Sequence, residues 1–207
     1  MRLPTTRRLT LGVAFTVTAL VAPALARADD VAGADALFSE AKALAGKGDY
    51  AAACPKFEAS QNLGPSLGTL LNLADCYEHV GKLASAKKRW DEAAELAKAK
   101  GDDRLAFATD RATAIAAKVP KLTLRITSGA ETLAVAVGGE KIPDSRWGLP
   151  LEVDPGKVDV TVSRGDAVLD TKTVEVAEGA SADVTLDLGA IAKAHPAKTN
   201  KAPAPPP

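Results

Sequence analysis

The chain has 207 residues, of which 46% are hydrophobic, 25% are charged and only 4% are aromatic. These proportions are those of a globular protein whose core is built from Ala, Leu and Val, and they exclude a wholly disordered chain. The formal net charge is zero, so the chain lacks the basic excess typical of nucleic-acid-binding proteins. Only two His are present, which leaves few candidates for general bases or metal ligands.

The N-terminus has the three parts of a secretory signal peptide. Three arginines lie within 2–8, an uncharged stretch spans 9–22, and Ala26-Arg27-Ala28 has the small-x-small pattern of a cleavage site. The uncharged stretch is shorter than the ~20 residues that a transmembrane helix needs, so we expect cleavage after Ala28 rather than a membrane anchor. Residues 1–28 contain four arginines and no acidic residue. The rest of the chain has 22 basic and 26 acidic residues, a net charge of −4. We therefore predict an exported protein of the periplasm or cell envelope, or a secreted one, with no transmembrane helix in its mature form.

From residue 31 to residue 119 the apolar residues recur at the three- and four-residue spacing of a helix face. Breaks rich in Gly and Asp divide this region into five helices, and they lie at 46–49, 64–66, 81–82 and 101–103. Connections this short favour antiparallel neighbours. Pro55 falls inside the second helix, where a proline removes a backbone donor and costs roughly 3 kcal/mol, so we expect a kink or a late helix start there.

Two segments of the helical region repeat at an offset of 33 residues. The equivalent positions are a turn glycine, a small helix residue, a large ring and a second small residue: Gly48 with Gly81, Ala53 with Ala86, Phe57 with Trp90, and Ser60 with Ala93. This register resembles the tetratricopeptide repeat, in which the small residue lets two helices approach and the ring fills the gap between them. The resemblance implies antiparallel helix pairs over 31–119 and a closing helix at 105–119 that covers the second pair.

The same resemblance implies a groove that binds a peptide or protein and is lined by the first helix of each repeat. The candidate groove residues are Asp35, Phe38, Lys42, Leu71, Asp75, Glu78 and His79. The alternative is that they form a solvated helix face without a ligand. If Asp75 and Glu78 are exposed on this groove, replacing either with Ala should change the free energy of unfolding by less than ~0.5 kcal/mol.

Cys54 and Cys76 are the only cysteines. An even pair in an exported chain is typical of a disulfide, and the two positions fall on helices that we expect to be neighbours. The alternatives are two small buried hydrophobic side chains, or, together with His79, three ligands of a metal ion. No further Cys or His is available in the folded part to complete such a site, so we predict neither a metal nor a cofactor.

After Pro120 the period of the apolar residues changes to the alternation of half-buried strands. Alternating sets begin at Leu122, Leu133, Leu149, Val158, Lys172 and Val184, and turn signals separate them. This pattern predicts six or seven antiparallel strands in a small immunoglobulin-like β-sandwich over 121–188. The whole chain is thus expected to be α+β in two segments.

Within the β region, the run WGLPLEVDPGKVDVTVSRGD resembles the PEGA-type module, a compact β domain of bacterial envelope proteins. The residues that carry this resemblance are Gly148 and Pro150 before a strand, Pro155-Gly156 at the turn, and Gly165 at the end of the next strand. Together the two resemblances imply an architecture like that of signal-bearing envelope proteins of myxobacteria. Trp147 is a candidate for stacking on a sugar ring, and the alternative is that it packs against the sheet.

The C-terminal segment 189–207 contains no acidic residue and is rich in Pro, Lys and Ala. A segment of this composition cannot bury a core, so we expect a structureless tail that contacts cell-wall polymers through its three lysines, or that simply stays solvated. His195 lies in this segment.

No catalytic constellation is visible in the sequence, which has neither a Gly-rich phosphate loop nor a nucleophile elbow. We therefore predict a non-enzymatic interaction or scaffold protein of the bacterial cell envelope, whose helical repeats bind a peptide or protein partner. The alternative hypothesis is a module that binds an envelope polymer, either cell wall or carbohydrate, through the β region and the Lys-containing tail.

Overall fold

The computed structural model of the chain describes residues 22–129 and 132–196. Five α-helices occupy the N-terminal half, as predicted: α1 Ala22–Ala45, α2 Tyr50–Leu63, α3 Leu67–His79, α4 Leu83–Lys100 and α5 Leu105–Ala116. The predicted signal peptide, 1–28, lies outside the described residues except for its last seven, which belong to α1. Among the described residues, no helix has the length and apolar character needed to span a membrane.

Each of the five helices packs on the next one along the chain, and their buried faces form one core. Alanine is the commonest residue of this core, and alanines let helix backbones approach closely because they present only a methyl group. Phe57 of α2 and Trp90 of α4 are its largest fully buried side chains, and each is about 1% exposed. The two rings occupy equivalent places in the 33-residue repeat, and the small residues of the repeat are buried as well: Ala53, Ala86, Ser60 and Ala93.

The turns that precede α2 and α4 also repeat. Gly48 and Gly81 adopt positive φ angles of 81° and 75°, a conformation that is strained for residues with a Cβ atom. The residue after each glycine donates its backbone N–H to a carbonyl five residues earlier, that of Leu44 in one turn and that of Tyr77 in the other. The two helix connections therefore have the same hydrogen-bonding pattern, and each reverses the chain direction in the same way.

Helix α2 begins at Tyr50, five residues before Pro55, so the expected late start of this helix is wrong. The carboxylate of Asp49 accepts a hydrogen bond from the backbone N–H of Ala52 and caps the helix ahead of the proline. A cap of this kind contributes about 1 kcal/mol, which offsets part of the cost of the missing donor.

The predicted disulfide between Cys54 and Cys76 is confirmed. It joins α2 to α3, with a Cα–Cα distance of 5.6 Å, and both cysteines are buried. Metal binding by Cys54, Cys76 and His79 is excluded, because thiolates are required as ligands and the two sulfur atoms are bonded to each other. The disulfide fixes the distance between α2 and α3 at this point.

Seven strands form the β half, in agreement with the predicted six or seven: β1 Lys121–Ser128, β2 Ala134–Val137, β3 Glu140–Ile142, β4 Pro150–Glu152, β5 Gly156–Arg164, β6 Ala167–Val176 and β7 Ser181–Asp187. They form two sheets, with strand orders β4-β1-β7 and β3-β2-β5-β6. Buried Leu and Val side chains from both sheets make one core between them.

One pairing differs from the prediction of a wholly antiparallel arrangement. Strand β1 pairs in parallel with β7, with Lys121 opposite Ser181 and Ile126 opposite Leu186. An alternating apolar pattern is the same for both strand directions, so the sequence pattern could not distinguish them. The alternation itself is confirmed for most strands, but Leu149, which we expected to begin the inward-facing set of a strand, lies just before β4 and is 49% exposed.

The prediction that the chain is structureless from residue 189 onward is wrong for the first residues of that segment. Residues 189–194 belong to a short helix, α6, which spans Leu188–Ala194. Leu188 is fully buried against the sheets, and the Asp187 carboxylate accepts a hydrogen bond from the backbone N–H of Ala190. The guanidinium of Arg164 donates to the carbonyl of His195 at the end of this helix. The rest of the predicted tail, 197–207, lies outside the described residues.

Polar contacts join the two halves in addition to the covalent connection of the chain. The backbone N–H and the hydroxyl of Ser85, in the first turn of α4, donate to the two carboxylate oxygens of Asp154 at 2.9 and 2.7 Å. Lys87 lies 3.4 Å from Glu152, and the N–H of Gly179 donates to the carbonyl of Lys118. Helix α4 has no capping side chain of its own, so the β half supplies the acceptor at its N-terminus.

Candidate functional site

The three candidate groove residues of α1 make their contacts within the α1–α2 pair or with solvent, separately from the candidates of α3. Asp35 and Lys42 are exposed. Phe38 is half-buried and meets the ring of Phe57 edge-on, with centroids 5.7 Å apart, so it packs within the α1–α2 pair. Among the described hydrogen bonds, ion pairs and ring contacts, none connects these three residues to the α3 candidates.

The candidates on α3 lie on one side of that helix, because their spacing is close to whole helical turns. Leu71 is partly buried against the core, and the Asp75 side chain is half exposed. The imidazole of His79 stacks on the ring of Tyr50 at 3.9 Å between centroids, and its Nε2 lies 3.7 Å from an Asp75 carboxylate oxygen. His79 lies one helical turn after Cys76, so the stack is beside the disulfide, and 48% of the His79 side chain stays exposed.

Glu78 differs from the prediction of an exposed groove residue. Its carboxylate accepts a hydrogen bond from the indole Nε1 of Trp90 at 2.5 Å and forms an ion pair with Arg111 at 2.7 Å. Its side chain is only 15% exposed. The carboxylate therefore connects α3, α4 and α5, and we no longer expect its replacement by Ala to leave stability unchanged, since the indole N–H would lose its partner.

Sequence reasoning did not identify Phe107 as part of this face. Its ring meets Trp90 edge-on at 5.5 Å between centroids, yet 53% of the residue is exposed. The guanidinium of Arg111, one turn further along α5, lies 5.7 Å from the Trp90 ring. A signal was available in the sequence, because Phe107 is an aromatic residue that falls outside the buried stripe of Ala108, Ala112 and Ile115. We call the surface formed by Leu71, Asp75, Glu78, Phe107 and Arg111 the α3–α5 face.

A cleft of about 850 Å³ lies between the helical half and the β half. The ring of Tyr77 lines it, with the Lys82 ammonium 5.5 Å from the ring centroid. Burial, and then the neighbouring Glu58 carboxylate, raise the pKa of Tyr77 to about 12. The phenol is therefore neutral at physiological pH, where it serves as a packing group and a hydrogen-bond donor.

Trp147 packs against the β core rather than projecting from it. Its indole Nε1 is buried without a hydrogen-bond partner among the described residues. A ring held in this way has less free face to offer a sugar than an exposed one.

In the part of the chain that the structure describes, no group of three or more His, Cys, Asp and Glu side chains is arranged to hold a metal ion. Comparison of the chain with models of known protein families finds no match, and comparison with curated proteins finds no similar sequence.

Proposed function

We propose that this chain is a non-enzymatic, exported interaction protein in which the helical half binds a peptide segment of another protein. In this proposal the helical half is a tetratricopeptide-like array and the β half is a PEGA-type, immunoglobulin-like module. The site of binding is the α3–α5 face.

Export is supported by the disulfide between Cys54 and Cys76. Disulfides persist in oxidising compartments such as the periplasm and are rare in the cytosol. The pattern of positive charge, apolar stretch and small residues at the N-terminus points to the same location.

The repeat character is supported by the equivalence of the two helix connections and their partner positions. Turn glycines, small buried residues and large buried rings recur at 33 residues, and the hydrogen bonds that close the two turns recur with them. Arrays of this kind present the faces of successive first helices to ligands.

The observation that carries the binding proposal is the half-exposed ring of Phe107 on a rigid support. The Phe107 ring packs edge-on against the buried ring of Trp90. The Glu78–Arg111 ion pair joins α5 to α3 next to this contact. Exposed aromatic residues on well-packed supports are typical centres of protein interfaces. The half-exposed carboxylate of Asp75 on the same face favours a peptide with a basic side chain next to an apolar one.

The test is selection of peptides from a random displayed library by the purified protein, followed by affinity measurements on variants. Phe107→Ser should weaken binding of the selected peptides at least about tenfold, as expected for a central aromatic contact. Val168→Ser, which changes another highly exposed apolar residue on β6, is the matched control and should leave affinity unchanged. Equal affinities for the two variants, with unchanged melting temperatures, would remove the α3–α5 face as the binding site.

A further inference from the structure

A second cleft, of about 730 Å³, lies on the side of the β half where β3 and β4 are the outer strands. Four basic side chains line it, and they come from four different parts of the chain: Lys88 of α4, Lys121 of β1, Lys141 of β3 and Arg146 after β3. None of the four lies within ion-pair distance of a carboxylate among the described residues. The positive charge of this cleft is therefore free to act on a ligand.

The acidic side chains of the same cleft do not balance this charge. Only Glu140 and Glu152 line it, and Glu152 lies 3.4 Å from the ammonium of Lys87. The neighbouring cleft that Tyr77 lines has the opposite character, with seven carboxylates and four basic groups. The second cleft is thus a local basic site, although the mature chain as predicted carries a net negative charge.

The backbone of this cleft favours an extended ligand. Strands β3 and β4 each pair with one strand only, so each has an outer edge, and residues of both strands line the cleft. Strand β4 begins with Pro150, which has no N–H to donate. Strand β3 contains no proline, so the backbone groups on its outer side, away from β2, can serve as donors and acceptors. The other two edge strands, β6 and β7, differ from β3 because a side chain already bridges them. The ammonium of Lys172 on β6 donates to the Thr185 carbonyl of β7 at 2.6 Å.

We propose that an extended acidic peptide segment of a partner protein adds as a strand to the outer edge of β3, with its carboxylates paired to the four basic side chains. Strand addition to a sheet edge obtains affinity from backbone hydrogen bonds and specificity from the side chains beside the edge. A lysine on an edge strand discourages addition of neutral or basic strands, but it attracts an acidic one. This surface is separate from the α3–α5 face and takes a ligand of opposite charge, so the inference goes beyond the proposed function.

The test uses fluorescence anisotropy with a labelled octapeptide of alternating Glu and Val, at low salt. The purified protein should bind this peptide, and should not bind the corresponding Lys-Val peptide. The triple variant Lys121→Gln/Lys141→Gln/Arg146→Gln should weaken binding about tenfold, because several surface ion pairs are lost at once. The matched control, Lys47→Gln/Lys98→Gln/Lys100→Gln, removes the same charge from exposed positions outside the cleft and should change affinity less than about twofold.

Two further ligands separate strand addition from simple charge attraction. A Glu-Val peptide methylated on alternate backbone nitrogens should bind about tenfold more weakly, since it cannot complete the ladder with β3. An acidic oligosaccharide with the same number of carboxylates should bind weakly as well. Undetectable binding of the Glu-Val peptide, equal losses in the two triple variants, or equal affinity for the methylated peptide or the oligosaccharide would each overturn the proposal.

Discussion

The two halves of the molecule achieve stability in different ways. In the helical half, each helix contacts its neighbour in sequence, and alanines are the commonest residues of a core whose largest fully buried rings are Phe57 and Trp90. In the β half, many Val and Leu side chains of similar size share the core, and the sheet that contains β1 is completed by β7, some 60 residues later. The helical half should therefore respond strongly to changes at a few positions, whereas the β half distributes its stability over many.

The largest effect is expected for Trp90→Ala. This change removes the largest side chain of the helical core and leaves the Glu78 carboxylate without its indole donor, so it should cost about 3–5 kcal/mol. Urea unfolding followed by circular dichroism measures the loss. Phe107→Ala, the control, removes only a half-exposed edge-on contact and should cost about 0.5–1.5 kcal/mol. Similar losses for both variants would show that the core does not depend on the Trp90 ring.

The disulfide provides the next largest contribution, and it acts on the helical half alone. Reduction, or the double change Cys54→Ala/Cys76→Ala, should lower the free energy of unfolding by about 3 kcal/mol, because the bond closes a loop with a sequence separation of 22 residues. Thermal unfolding with and without reductant measures this. An unchanged melting temperature in the presence of reductant would contradict the prediction.

Alkaline pH should destabilise the helical half through Tyr77. The pKa of Tyr77 is raised from 10.0 to about 12 in the folded protein, so the folded state favours the neutral phenol. The corresponding stability is fully present below pH 10 and is lost as the pH rises toward 12, by at most about 3 kcal/mol in total, since each pKa unit corresponds to roughly 1.4 kcal/mol. Unfolding of the protein and of Tyr77→Phe should be compared over this range, since other groups also titrate there. Parallel pH profiles for the two proteins would count against the assignment.

A smaller effect, specific to the junction of the two halves, is expected for Asp154→Ala. This carboxylate accepts from the backbone N–H and the hydroxyl of Ser85, so its loss should cost about 0.5–2 kcal/mol, as for other helix caps. Asp49→Ala is the matched control, because it removes the cap of α2 within the helical half. Only Asp154→Ala should increase proteolysis between residues 117 and 120. Equal cleavage of the two variants there would show that the Ser85 contact does not couple the halves.

The sequence predicted the helical half more completely than the β half. The five helices and their connections follow from local signals such as glycine turns and helical periodicity, and the disulfide follows from the even pair of cysteines in a chain with a predicted signal peptide. The direction of β7 relative to β1 depends on contacts between distant residues, for which the alternating pattern carries no information. The Glu78 network was missed for a similar reason, since an acidic residue on a predicted helix face shows neither the indole nor the guanidinium that engage it. Helix α6 is too short for periodicity to reveal it.

The parallel pairing of β1 with β7 has a mechanical consequence. The chain passes into the β half at Lys121 and leaves it near Asp187, and these residues lie at opposite ends of the paired strands. A tension applied between the helical half and the C-terminus would therefore pull the two strands past each other, so that the hydrogen bonds of the ladder share the load instead of breaking one after another. Single-molecule stretching between these points should give a higher unfolding force than stretching the β5–β6 hairpin from its open end, where antiparallel pairs separate sequentially.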